Sequence, residues 1–119
     1  MGAIEAYKSN AITTQSRGGL IVMLYDGAIK ALRQAITALE AEDFAAKGQY
    51  IAKATDIIVE LNSVLDLDEG GEIASDLRRL YNFMIEHLTK AHIQNDPEMF
   101  VEVISLLEDL NQGWKAIAD

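Results

Sequence analysis

The chain contains no cysteine, one proline, one tryptophan and two histidines among its 119 residues. Without cysteine there is no disulfide framework and no thiol chemistry. A single proline leaves long uninterrupted helices available. Basic residues are also scarce: 10 Lys and Arg face 19 Asp and Glu, for a formal net charge of -9. Such a balance repels phosphate backbones, so neither nucleic acid nor an anionic membrane surface is expected as a partner. The longest strongly apolar run, Leu20 to Tyr25, falls far short of the roughly 20 residues that cross a bilayer. The start, Met1-Gly2-Ala3-Ile4-Glu5-Ala6-Tyr7-Lys8, lacks a basic stretch followed by an apolar block, so no signal peptide is expected. These absences together lead to the expectation of a soluble cytoplasmic protein of one domain, long enough to bury one core.

The constellations that carry chemistry are missing as well. A di-metal carboxylate site in a helical bundle needs Glu-x-x-His on two helices. Here Met84 and Thr89 stand three residues before His87 and His92, which counts against a metal-dependent oxidase. His87 is expected at the surface near Glu86, and His92 partly buried. No serine sits in a Gly-x-Ser-x-Gly turn, and Gly18-Gly19 and Gly70-Gly71 lack the spacing of a phosphate loop. Asp66, Asp68, Gly70 and Glu72 are too closely spaced for a calcium loop. The sequence therefore carries no catalytic residues, no metal ligands and no cofactor site, and no enzymatic activity is expected.

What is abundant is apolar residues at helical spacing. Leu20, Met23, Leu24, Gly27, Ala28, Ala31, Leu32, Ala35, Ile36 and Leu39 step by three and four, the period of one helix face. A second stripe comprises Phe44, Ile51, Ala54, Ile58, Leu61 and Leu65. A third comprises Ile73, Leu77, Leu80, Tyr81, Met84, Leu88 and Ala91, and a fourth Phe100, Val103, Leu107, Leu110, Trp114 and Ile117. Ser16, Asp43 and Asp96 are placed as N-caps, Pro97 suits a first turn, and Gly70-Gly71 breaks the pattern before the third helix. The spacing predicts helices over 16–42, 43–66, 71–95 and 96–118, with 1–15 as an N-terminal arm or short helix. Connectors this short force neighbours to run antiparallel. The expected fold is all-α: an antiparallel up-and-down four-helix bundle with the arm packed on it.

Apolar content exceeds what one core needs. Ile21, Val22, Tyr25 and Ile29 flank the first stripe, Ile57 and Val64 the second, and Phe83, Ile85 and Ile93 the third. An ordinary stripe is a little over 100° wide. Two readings account for the excess: broad burial with cover from the arm, or a groove for an amphipathic helix of a partner. They are compatible if arm and partner compete for one surface.

The chain resembles the flagellar export chaperone family, FliS. The resemblance is carried by Ala6-Tyr7, Ser16, Met23-Leu24-Tyr25-Asp26-Gly27, and Ala54-x-x-Ile57-Ile58-x-x-Leu61. Gly70-Gly71-Glu72-Ile73-Ala74, Leu80-Tyr81-Asn82-Phe83-Met84, Asn95-Asp96 and Trp114-Lys115 continue it, in order, to the C-terminal helix. It implies a cytoplasmic chaperone that binds the disordered C-terminal region of flagellin and blocks premature filament assembly. The flagellar export apparatus would be engaged only indirectly. On that resemblance the partner surface is expected to use Ile4 and Tyr7 in the arm and Leu20, Ile21, Leu24 and Tyr25 in the first helix. Ile57 and Leu61 in the second and Leu80, Tyr81 and Met84 in the third complete the set. Arm displacement would leave apolar surface open to weak self-association. The family's proline and Glu or Gln after the capping serine are here Arg17 and Gly19, which loosens the start of the first helix. The alternative function is a helical adaptor or regulator that binds a different amphipathic partner.

Overall fold

The computed structural model describes residues 17–118. They form four helices: α1 (Arg17–Glu40), α2 (Phe44–Ser63), α3 (Leu67–Gln94) and α4 (Pro97–Ile117). α1 packs against α2 and α4, and α3 packs against the same two helices, so the four close into a ring. Two- and three-residue connectors make each helix antiparallel to the next. This is the all-α four-helix bundle that the periodicity predicts. Ser16 and the arm, with Ile4 and Tyr7, lie outside the described residues.

Local chemistry sets the turns. Asp43 caps α2 by accepting from the Ala46 N–H at 3.1 Å. Asp96 caps α4 by accepting from the Glu98 N–H at 3.0 Å, and Pro97 follows where no intrahelical donor is required. α1 ends differently from any sequence signal. Glu42 adopts φ 57, Asp43 N–H reaches the Ala38 carbonyl at 2.8 Å, and Glu42 N–H reaches Leu39 at 3.0 Å. That is a Schellman closure with glutamate in the left-handed place that glycine normally takes.

α3 begins one turn earlier than the glycine pair suggests. Asp66 accepts from the Glu69 N–H at 3.0 Å and caps the turn that begins at Leu67. The break falls at Gly71, with φ 55 and ψ -131, a conformation open to glycine because it has no Cβ. A Cβ on Gly70 would lie 2.6 Å from that of Ala74, so the pair is required twice over, once by backbone and once by space.

The core is built from Leu24, Tyr25, Ala28, Ile29, Ala31, Leu32 and Ala35 of α1, and Ile51, Ala54, Ile57, Ile58 and Leu61 of α2. Leu77, Tyr81, Met84, Leu88 and Ala91 of α3, with Phe100, Val103, Ile104 and Leu107 of α4, complete it. Full burial of one such side chain stabilises by about 1.5–3 kcal/mol. Tyr25, Ile29 and Ile57, read as surplus to the stripes, are core residues, because α1 and α2 are each packed against two neighbours and need a wider apolar face. Phe44, Ile73 and Ile117, read as inward, are 51%, 73% and 72% exposed. All three stand near helix ends, where a neighbouring helix gives less cover.

Among the described residues two polar side chains are buried, Lys47 and Asn111. Lys47 Nζ donates to the His92 carbonyl at 3.1 Å and to Asn95 Oδ1, and lies 5.5 Å from the Phe44 ring centroid. A cation thus sits at the C-terminus of α3, where unpaired carbonyls and the helix dipole favour it. The histidines exchange their expected environments. His92 is exposed, whereas His87 stacks on Phe83 at 4.9 Å and sits 3.3 Å from Glu102 rather than beside Glu86.

Candidate binding clefts at one end of the bundle

Antiparallel order brings the start of α1, the end of α2, the start of α3 and the end of α4 to one end of the bundle. An apolar cleft of about 250 Å³ opens there. Its walls are Ile21 from α1, Leu61, Val64 and Leu65 from the end of α2, and Gly70, Ile73, Ala74 and Leu77 from α3. Asp66, Tyr81 and Trp114 complete the lining. Val64 at 64% and Ile73 at 73% exposed are its outer lips. The backbone turn at Gly71 produces this geometry, because it carries the chain from the Asp66-capped turn into the long run of α3.

Beneath the cleft lies an aromatic group. The Tyr25 and Tyr81 hydroxyls are 2.6 Å apart, with ring centroids 6.5 Å apart and planes at 58°. Tyr25 also meets Trp114 at 6.2 Å between centroids. Burial raises the pKa of Tyr25, with hydrogen bonding to Tyr81 pulling the other way. Burial, the nearby Tyr25 charge and the shared hydrogen bond all raise that of Tyr81. Both hydroxyls are therefore neutral at ordinary pH, and the pair fixes α1 to α3 under the cleft floor.

On the neighbouring face, α1 and α4 enclose a polar cleft of about 390 Å³. Asn111 Nδ2 donates to Asp26 Oδ1 at 2.8 Å, and Lys115 Nζ lies 3.7 Å from the same oxygen. Arg33 pairs with Glu108 across the other end. Among the described residues no group of three or more His, Asp or Glu side chains could hold a metal. No described helix is long and apolar enough to cross a membrane.

The residues expected to meet a partner divide into distinct positions. Ile21, Leu61 and Tyr81 line the apolar cleft. Leu20 and Leu80 are half-buried against the core. Leu24, Tyr25, Ile57 and Met84 lie in the core itself and shape the cleft from within. Ile4 and Tyr7 fall outside the described residues. Val64, Leu65, Ile73, Ala74, Leu77 and Trp114 also line the apolar cleft and are absent from the set expected from the sequence. Their joint signal is that an up-and-down topology stacks the ends of α2 and α4 beside the starts of α1 and α3.

The family model for the flagellar protein FliS matches residues 1–119. The chain belongs to the FliS family. Similar curated members of FliS are 42% identical over 120 residues in Salmonella typhimurium, covering 97% of this chain and 89% of that one. The Vibrio cholerae protein is 36% identical over 120 residues, covering 98% and 88%. Both are named flagellar secretion chaperone FliS. A Pseudomonas aeruginosa protein, flagellar secretion chaperone FliSB, is 38% identical over 122 residues, covering 99% and 97%.

Proposed function

We propose that this FliS-family chain is a cytoplasmic flagellar export chaperone that holds the C-terminal segment of flagellin and keeps it from polymerising before export. The observation that carries the reading is the apolar cleft at the end of the bundle, with Val64 and Ile73 exposed at its lips. The relatives' name, flagellar secretion chaperone, supports a role in flagellar secretion. An amphipathic helix laid into such a cleft buries apolar side chains, each contributing up to about 1.5–3 kcal/mol before the cost of ordering a disordered segment. Buried against the chaperone, those faces are withheld from neighbouring flagellin molecules. Export machinery is reached through the cargo rather than by a catalytic step.

The arm takes part by competition. Residues 1–16 join α1 at Arg17, at the same end as the cleft, and Ile4 with Tyr7 supplies an apolar pair. We propose that the arm and flagellin compete for this apolar surface.

The test is a pulldown and titration with a peptide of the cognate flagellin's C-terminal third, using Ile73→Asp and Val64→Asp. Both positions are exposed, so folding should be unaffected, while a charge on the cleft's lip should weaken binding at least tenfold. Wild-type capture of a different amphipathic protein, with no affinity for flagellin, would replace this reading with the adaptor.

A further inference from the structure

We infer that the polar cleft between α1 and α4 holds an extended stretch of the same flagellin segment, through a backbone N–H donated to Asn111 Oδ1. This rests on the flagellin-binding reading and adds a second, polar anchor to it.

Asn111 is 2% exposed. Its orientation is fixed by chemistry: the Asp26 carboxylate only accepts, so the Asn111 amide must turn Nδ2 toward it. Oδ1 is thereby left buried with no hydrogen-bond partner. Buried polar atoms are nearly always paired, and an acceptor without a donor calls for one. The surrounding charges do not call for an ion, because Arg33 pairs with Glu108 and Lys115 lies beside Asp26. What is missing is a neutral donor. A peptide unit provides one, and its carbonyl can accept the second Nδ2 hydrogen, so a carboxamide and a backbone amide match in both directions.

Position favours the same partner. Trp114 lines the apolar cleft, and Asn111 and Lys115, a turn before it and one residue after, line the polar one. One unstructured chain can therefore occupy both. From Asp26 to Arg33 the cleft follows two turns of α1, about 10 Å at 1.5 Å per residue, the length of roughly three extended residues. The rim is free to move aside: the Lys115 and Glu108 side chains are 58% and 43% exposed.

The experiment uses the full chain and the flagellin C-terminal peptide, with single backbone N-methyl groups placed along the peptide. Wild type and Asn111→Leu are compared by calorimetry, and their stabilities by urea unfolding. Asn111→Leu is expected to leave the urea midpoint nearly unchanged, since removal of a buried unpaired acceptor offsets loss of the bond to the half-exposed Asp26, and to bind about tenfold more weakly. One N-methyl position should lose about tenfold against wild type and almost nothing against Asn111→Leu. Asn111→Ser, which keeps polarity but loses reach, should show the same coupling and serves if the leucine variant does not fold. Equal affinity of wild type and variants overturns the inference, as does an unchanged N-methyl profile accompanied by a lowered urea midpoint, which marks a purely structural asparagine. A wild-type protein that does not bind the peptide at all overturns the flagellin reading itself.

Discussion

The hydroxyl pair beneath the apolar cleft makes a prediction with a definite sign. Tyr25 and Tyr81 share one hydrogen bond at 2.6 Å and are 0% and 2% exposed. Tyr25→Phe leaves the Tyr81 hydroxyl buried without its partner, and the reverse change strands Tyr25. Each single variant should lose about 1–3 kcal/mol, the usual cost of an orphaned buried polar group. Replacing both removes the need for the bond, so the double variant should cost less than the sum, with a coupling of about 1–2 kcal/mol. The pH dependence follows from the raised pKa of both groups. Unfolded tyrosines ionise near pH 10, while the folded pair keeps its protons to higher pH. Above that point the folded state binds more protons than the unfolded one, so stability falls as pH rises, by about 1.4 kcal/mol per pH unit for each tyrosine until the folded group also ionises. Below about pH 10 the contribution is fully present. Urea unfolding at pH 8, 9, 10 and 11 should give a curve that falls more steeply above pH 10 for wild type than for the double phenylalanine variant. Parallel curves, or single variants that cost under about 0.5 kcal/mol, would refute the buried neutral pair.

Other substitutions test the backbone, the core and the arm. Glu42→Gly should stabilise by about 0.5–1 kcal/mol in thermal unfolding, because φ 57 is strained for glutamate and open to glycine. Gly71→Ala should destabilise by about 1–3 kcal/mol through backbone conformation alone, since a Cβ there meets nothing within 4 Å. Leu107→Ala, at a position 0% exposed, should cost about 2–5 kcal/mol in urea unfolding. Removing Met1 to Asn10 should leave flagellin affinity unchanged or up to about tenfold tighter, with more self-association by light scattering; a truncated monomer that no longer binds would show that the arm is a direct contact.

The architecture was legible because its determinants are local and periodic. Leu77, Tyr81, Met84, Leu88 and Ala91 repeat at helical spacing and are all buried, and the aspartates at 43 and 96 cap where their spacing places them. The added turn at Leu67 was not legible, because a glycine pair reads as a break whether or not one turn precedes it. Glu42 gave no signal, since a left-handed glutamate has the same sequence appearance as a helical one. Lys47 was invisible because its burial depends on the α3 C-terminus, which is distant in sequence. The cleft was only partly visible. Periodicity identifies the inward face of a helix, but not how far up or around that face the neighbouring helices reach, so it sets Ile73 inside and leaves Tyr25 open between burial and a partner groove. Asn111 became a candidate only when its amide orientation was fixed by Asp26.

The central claim is that flagellin's C-terminal segment binds here mainly by burying apolar surface. Isothermal titration of that segment into the full chain, at several temperatures and at both low salt and about 0.5 M salt, tests it most directly. The account predicts binding with a negative heat-capacity change and only a modest loss at high salt, where the Debye length is about 4 Å. Absence of binding, or a hundredfold or greater loss of affinity with salt, would contradict it.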